Sequence, residues 1–210
     1  MTRRTWDVAK RYFFPALVPG LVLLALGKRV GFAFVALAGA ILYFFRDPER
    51  SSEPEPGTVY SAADGLVTDV EEVEEAWLGG KALRISVFLS LHNVHVNRSP
   101  MKGKAVKFEE IRGGYAPALF EDSGGNYRHK TLFDGEGGRF VLVQKAGMIA
   151  RRITPWIEVG DEVEAGERIG VIHFGSRTDI LLPADEYEPL VEPKDKAKAG
   201  FTPVARRRRG

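Results

Sequence analysis

The chain has 210 residues, enough for one well-filled core and an appendage, and a formal net charge of only +2. That balance supplies no electrostatic reason to bind nucleic acid, and no such partner is expected. There is no cysteine, which excludes disulfides and thiolate metal ligands; with four histidines in all, no metal centre is expected either.

Arg3, Arg4, Lys10 and Arg11 precede an apolar run from Phe13 to Gly27, and a second run extends from Val30 to Phe45 beyond Lys28-Arg29. Each run is shorter than the roughly 20 residues that span a bilayer. Residues 1–45 therefore read as a helical membrane hairpin, either dipping into one leaflet or crossing as two short spans. A cleaved signal peptide fits less well: Ile41 to Phe45, after the small residues Ala36 to Ala40, are still apolar. Tyr43, Phe44 and Phe45 followed by Arg46 read as an interfacial edge. The early cations favour a cytoplasmic N-terminus at the cell membrane, and a hairpin returns the rest of the chain to that side. They are also attracted to anionic phospholipid.

Residues 46–58 are rich in Pro and charge and read as a linker. Residues 59–194 carry the β pattern, with strand-like runs at Ala82–Leu89 and Arg139–Gln144. Gly113 to Gly138 reads as a long loop inserted into the fold. Ile157–Glu167 has two turn signals framing short strands, like half of a lipoyl/biotinyl-type barrel, and a matching half is expected at Ala62–Val67. The expected fold is thus mainly β: a lipoyl/biotinyl-like barrel-sandwich core with an insertion, after an N-terminal helical membrane hairpin. Residues 195–210, ending in Arg206 to Arg209, read as a basic tail.

Three segments carry candidate chemistry, and each has a plain structural alternative. Asp64-Gly65 is by itself a turn. His92 and His95 share a face on a helix but fall on opposite faces of a strand. Gly175-Ser176 between strand-like runs is ordinarily a bulge, and no nucleophile-elbow pattern surrounds it. Together they supply an Asp, a His and a Ser, which suffice to activate a hydroxyl if the fold converges them. Arg98, Arg151, Arg152 and Arg177 are candidates for a phosphate.

Phe45-Arg46-Asp47-Pro48, Ala63-Asp64-Gly65, His92 through Pro100, Ile149 through Ile153 and Gly166 through Arg177 resemble, in order and together, the short archaeal-type branch of the phosphatidylserine decarboxylases. Phe174-Gly175-Ser176-Arg177 stands where the long branch has a Leu-Gly-Ser-Thr type of site. Asn126-Tyr127-Arg128 departs from the Asn-Glu-Arg of many relatives at Tyr127.

The resemblance implies a zymogen that cleaves itself between Gly175 and Ser176 and turns Ser176 into a covalent pyruvoyl cofactor. Asp64 would orient His95, and His95 would take the proton of the Ser176 hydroxyl. The pyruvoyl ketone would then engage the amine of phosphatidylserine and accept the electrons left by departing CO2, giving phosphatidylethanolamine. His92 would serve the protonation step or hold the substrate carboxylate. The large and small chains would stay together as a heterodimer. The competing reading is a membrane-tethered adaptor with a lipoyl-like domain, which leaves both histidines and the Gly-Ser junction unexplained. A lipoyl carrier lacks its Lys at the turn.

Overall fold

The computed structural model describes residues 1–50, 54–113, 127–147, 152–174 and 176–208. The chain divides into two units, Met1–Glu49 and Arg50–Gly210. Gly175, Arg151 and Asn126, named above, lie outside the described residues.

The first unit is a helix pair, α1 (Arg3–Ala25) and α2 (Gly31–Phe44). Thr2 caps α1 by accepting the Thr5 N–H. Gly27, at φ 72°, ends it in the left-handed conformation that favours glycine. The helices touch where side chains vanish: a Cβ on Gly31 would strike the Gly20 carbonyl and Leu24. Phe14, Val18, Leu21, Val22, Phe32 and Leu37 are exposed. α1, at 23 residues, is long and apolar enough to cross a membrane, whereas α2 has 14 residues. α1 outruns its apolar segment because Arg3 to Tyr12, polar in part, are good helix formers and continue the same helix.

The second unit is mainly β. Its strands are β1 (Thr58–Tyr60), β2 (Gly65–Glu75), β3 (Gly80–Leu89), β4 (Val96–Arg98), β5 (Gly103–Ile111), β6 (Arg128–Gly135) and β7 (Gly138–Ala146). They continue with β8 (Arg152–Pro155), β9 (Glu162–Val163), β10 (Arg168–His173), β11 (Ser176–Pro183), β12 (Tyr187–Pro189), β13 (Lys196–Ala197) and β14 (Pro203–Arg207). A curled eight-stranded antiparallel sheet runs β13-β2-β3-β11-β7-β6-β5-β9, and two three-stranded sheets run β1-β14-β12 and β4-β10-β8. Alternate residues of the large sheet, among them Ile85, Val87, Leu89, Phe133, Phe140, Leu142, Ile180 and Leu182, fill one apolar core.

This order is palindromic. Exchanging β13, β2, β3 and β11 for β9, β5, β6 and β7 reproduces the large sheet and swaps the two small ones, an internal pseudo-twofold between β7 and β11. The register agrees. Val59 opposes Ala205 as Asn97 opposes Gly170, and Gly65 opposes Ala197 as Gly103 opposes Val163. A bulge occurs just after Val67 and another just after Ala105. Turn bonds repeat too: the Glu158 N–H donates to Asp161 Oδ2 at 2.9 Å, and the Glu192 N–H to Asp195 Oδ2 at 2.8 Å.

The counterpart of Ile157–Glu167 is thus Val191–Phe201, and that of Ala62–Val67 is Pro100–Ala105; the two segments expected to be halves of one repeat belong to different parts of it. The second turn escapes a pattern search because Lys194, at φ 85°, stands where Gly160 does, and Ala197 where Val163 does. Residues 195–208, expected as a tail, supply β13 and β14, with Val204 and Ala205 in the core.

Candidate active site

Ser176 opens β11 at the centre of the large sheet, opposite Leu89 on one side and Ala146 on the other. Its side chain faces the core side, like Thr178, Ile180 and Leu182. It is fully buried, and among the described residues its Oγ has no hydrogen-bond partner. A buried hydroxyl left so is rare and calls for a reason. Two residues earlier, Phe174 holds φ 50°. A bulky L-residue there stores roughly 1–2 kcal/mol of backbone strain beside the Gly-Ser junction.

Both histidine positions lie on the connection that leaves β3 at Leu89, directly opposite Ser176. A β-turn shapes it: the Asn93 N–H donates to the Ser90 carbonyl, and Asn93 Oδ1 accepts the Ser90 N–H in return. His92 is exposed on this turn, its Nδ1 3.1 Å from Ser90 Oγ. His95 is buried just before β4. Its carbonyl accepts the Ile172 N–H, so it sits beside the strand that runs into Ser176. Its Nδ1 lies 3.0 Å from the Asn93 carbonyl. A carbonyl only accepts, so Nδ1 carries the proton and Nε2 the basic lone pair. The expected spacing argument of opposite strand faces does not apply, since one histidine is on a turn.

Asp64 is placed differently. Its carboxylate receives Arg50 Nη1 at 2.6 Å, Arg50 Nη2 at 2.7 Å and the Ala199 N–H at 2.8 Å. The structure brings Asp64 to Arg50 and the Ala199 N–H. The turn that carries it is nevertheless tied to β4: the Ala62 carbonyl accepts the Arg98 N–H and Asn97 Nδ2. Arg50 went unnoticed in the sequence because a lone cation in a charged linker carries no pattern; only its bidentate geometry marks it.

The phosphate candidates separate. Arg177 is buried against Asp179, Asp69 and the Ser86 hydroxyl. Burial alone would lower its pKa, but Asp179, Asp69 and Glu71 hold it above the ordinary value. Arg98 is buried with Nη1 on the Gly166 carbonyl. Arg152 is exposed opposite His173 on β8. Tyr127 packs near Ala146 and Ile172, beside the site. Among the described residues no cluster of His and carboxylates could hold a metal.

Buried serine, buried imidazole and strained backbone at one sheet end are parts of an enzyme rather than of a passive tether. The phosphatidylserine decarboxylase family model matches residues 37–205. A phosphatidylserine decarboxylase proenzyme of Symbiobacterium thermophilum is 44% identical over 200 residues, covering 92% of each chain. One of Streptomyces coelicolor is 40% identical over 204 residues, covering 94% of this chain and 90% of that protein. A protein of Methanococcoides burtonii, whose name provisionally places it among archaetidylserine decarboxylase proenzymes, is 39% identical over 168 residues, covering 80% and 76%. The chain belongs to the phosphatidylserine decarboxylase family and is a decarboxylase of that kind, similar also to the archaeal-type members.

Proposed function

We propose that this chain is a zymogen that cleaves itself between Gly175 and Ser176 and, carrying a pyruvoyl group made from Ser176, converts phosphatidylserine to phosphatidylethanolamine and CO2. The observation that carries the proposal is the buried Ser176 Oγ without a hydrogen-bond partner among the described residues, beside the strained Phe174. A group that must be both nucleophile and, later, prosthetic group fits a position whose hydroxyl the fold does not use.

In maturation, His95 Nε2 accepts the Ser176 hydroxyl proton and Oγ attacks the Gly175 carbonyl. The amide becomes an ester. Loss of the Ser176 Cα proton expels the Gly175 carboxylate, and hydrolysis of the resulting dehydroalanine releases ammonia. The pyruvoyl group, once formed, supplies an electron sink for decarboxylation. His92, exposed at the mouth, meets the headgroup and delivers the proton or binds the carboxylate. Asp64 serves as a positioning residue: clamped by Arg50, it braces the turn whose Ala62 carbonyl holds β4 and thereby His95.

The exposed apolar helix pair suits insertion into an anionic phospholipid membrane, where the acyl chains of the substrate remain. The basic residues before α1 favour the cytoplasmic face of the cell membrane. The palindromic sheet favours a lipoyl/biotinyl-type barrel-sandwich for the second unit.

The test is an intact mass of the purified protein and of Ser176→Ala. Wild type is expected as two chains, one ending at Gly175 and one starting at a pyruvoyl-blocked residue 176; Ser176→Ala is expected as one inactive chain. A cleaved, active Ser176→Ala protein would sink the reading.

A further inference from the structure

The pseudo-twofold provides an internal control, because the fold relates two equivalent places where the copies meet and only one of them has His95 and Ser176. Residues on the core face can be compared position by position between the copies.

At the place that holds the site, Asn97 is wholly buried and at the centre of a polar cluster. Its Oδ1 accepts Gln144 Nε2 at 2.7 Å; its Nδ2 donates to Thr178 Oγ1 at 3.2 Å and to the Ala62 carbonyl at 3.3 Å. His129, opposite Gln144 in the ladder, and Thr131 extend the cluster and are buried as well. Burial lowers the pKa of His129, keeping it neutral. The shared register fixes the positions that the pseudo-twofold makes equivalent to these. They are Val59 for Asn97, Leu182 for Gln144, Phe140 for Thr178, Leu83 for His129 and Ile85 for Thr131. All five are apolar and buried in the core.

The fold therefore closes without polar groups at these places, and apolar side chains there avoid the desolvation that buried amides incur. The backbone is the same in both: the Arg98 N–H donates to the Ala62 carbonyl at 2.9 Å, as the Tyr60 N–H does to the Pro100 carbonyl. The two equivalent places differ in the residues one pleat along. His95 precedes Asn97 by two residues, Ser176 precedes Thr178 by two, and Ala146, the ladder partner of Ser176, lies two beyond Gln144. Asn97, Gln144 and Thr178 join three strands, β4, β7 and β11, immediately beneath the site.

We propose that Asn97, with Gln144 and Thr178, is a positioning hub that fixes His95 against Ser176. It acts by locking β4 of the small sheet to β11 and β7 of the large one. Directional hydrogen bonds set the sliding of one sheet over the other more narrowly than apolar packing does. The inference rests on the self-cleavage reading above.

The test removes the cluster's polar atoms, with the equivalent Val and Leu at 97 and 144 and a Val matched in size to Thr at 178. Asn97→Val, Gln144→Leu and Thr178→Val are combined in the full chain, beside the single variants Thr178→Val and Thr178→Ser. Self-cleavage is timed after cell-free synthesis into detergent micelles, and melting is measured in a Ser176→Ala background. The triple variant is expected to melt no lower than the Ser176→Ala parent yet to cleave about 100-fold more slowly, the scale of a misplacement near 1 Å. Thr178→Ser, which keeps the hydroxyl, is expected to cleave near the wild-type rate, and Thr178→Val well below it. Cleavage of the triple variant at the wild-type rate overturns the hub. So does equal slowing by Ser and Val in step with lost stability, which would mark Thr178 as packing only. Failure of wild type itself to cleave would strike the self-cleavage reading instead.

Discussion

An imidazole whose Nδ1 faces a carbonyl must hold its proton there, and this is why the proposal makes His95, not His92, the base. His95 is buried beside the strand entering Ser176, where on the proposed mechanism a proton taken from Oγ would not be lost to solvent; His92 is exposed and would reach only what arrives from outside. The two roles predict separable defects. His95→Ala is expected to remain a single chain. His92→Ala is expected to cleave and then decarboxylate slower by about 10²–10⁴-fold, the range for a lost general acid or base. Intact mass reports the first property and CO2 release from phosphatidylserine micelles the second; an uncleaved His92→Ala protein would remove the division. The sequence showed these residue types but not their wiring. Asp64 was legible as a candidate, whereas its partner Arg50 and the Asn93 carbonyl were not, because bidentate pairing and a backbone acceptor exist only once the turns are folded.

At the level of strands, Asp64 is held in place by the glycine next to it in the chain. Gly65 starts β2 so close to β3 that a Cβ would drive into the Phe88 carbonyl. The Asp-Gly pair is a turn, as its composition indicates, but its glycine is required by the approach of two strands. Gly65→Ala is therefore expected to cost about 1–3 kcal/mol, as overpacking typically does, and to slow maturation by displacing Asp64. Gly80→Ala, at the far end of the same hairpin with open space around it, is expected to be near neutral. Denaturant melts of both in a Ser176→Ala background check this; equal effects would mean that strand approach is not what matters at Gly65. Strands of this kind were readable where apolar residues alternate locally, as in β3 and β7. The short β13 and β14 were not, since charged Lys196, Arg206 and Arg207 line their outer faces and their pairing with β2 and β1 is far away in sequence. The repeat itself was half visible in Ile157–Glu167, and substitution of Lys194 for glycine hid its twin.

For the molecule as a whole, the position of the junction decides what cleavage can do. On the proposed cleavage, Ser176 and everything after it would form the small chain, yet β11 lies between β3 and β7 in the middle of the large sheet. Ile180, Leu182, Tyr187, Val204 and Ala205 of that segment sit in the common core with residues of the large chain. Asp179 adds a buried pair across the divide, its Oδ2 2.7 Å from Lys145 Nζ. Burial alone would raise the pKa of Asp179, but Lys145 and Arg177 outweigh it and hold the carboxyl below its ordinary 3.8. A carboxylate so depressed stabilises the assembled state fully above the ordinary value, and that contribution is lost as pH falls through the folded value. The cleaved chains are thus expected to co-elute on size exclusion in detergent from pH 7 down to about 5, well above the ordinary carboxylate range. Below 3.8 they are expected to loosen, and in strong denaturant to part. Release of the small chain at neutral pH would show that β11 is not held by the sheet it completes; co-elution would mean that cutting the chain at Ser176 creates a new terminus for chemistry without opening the core.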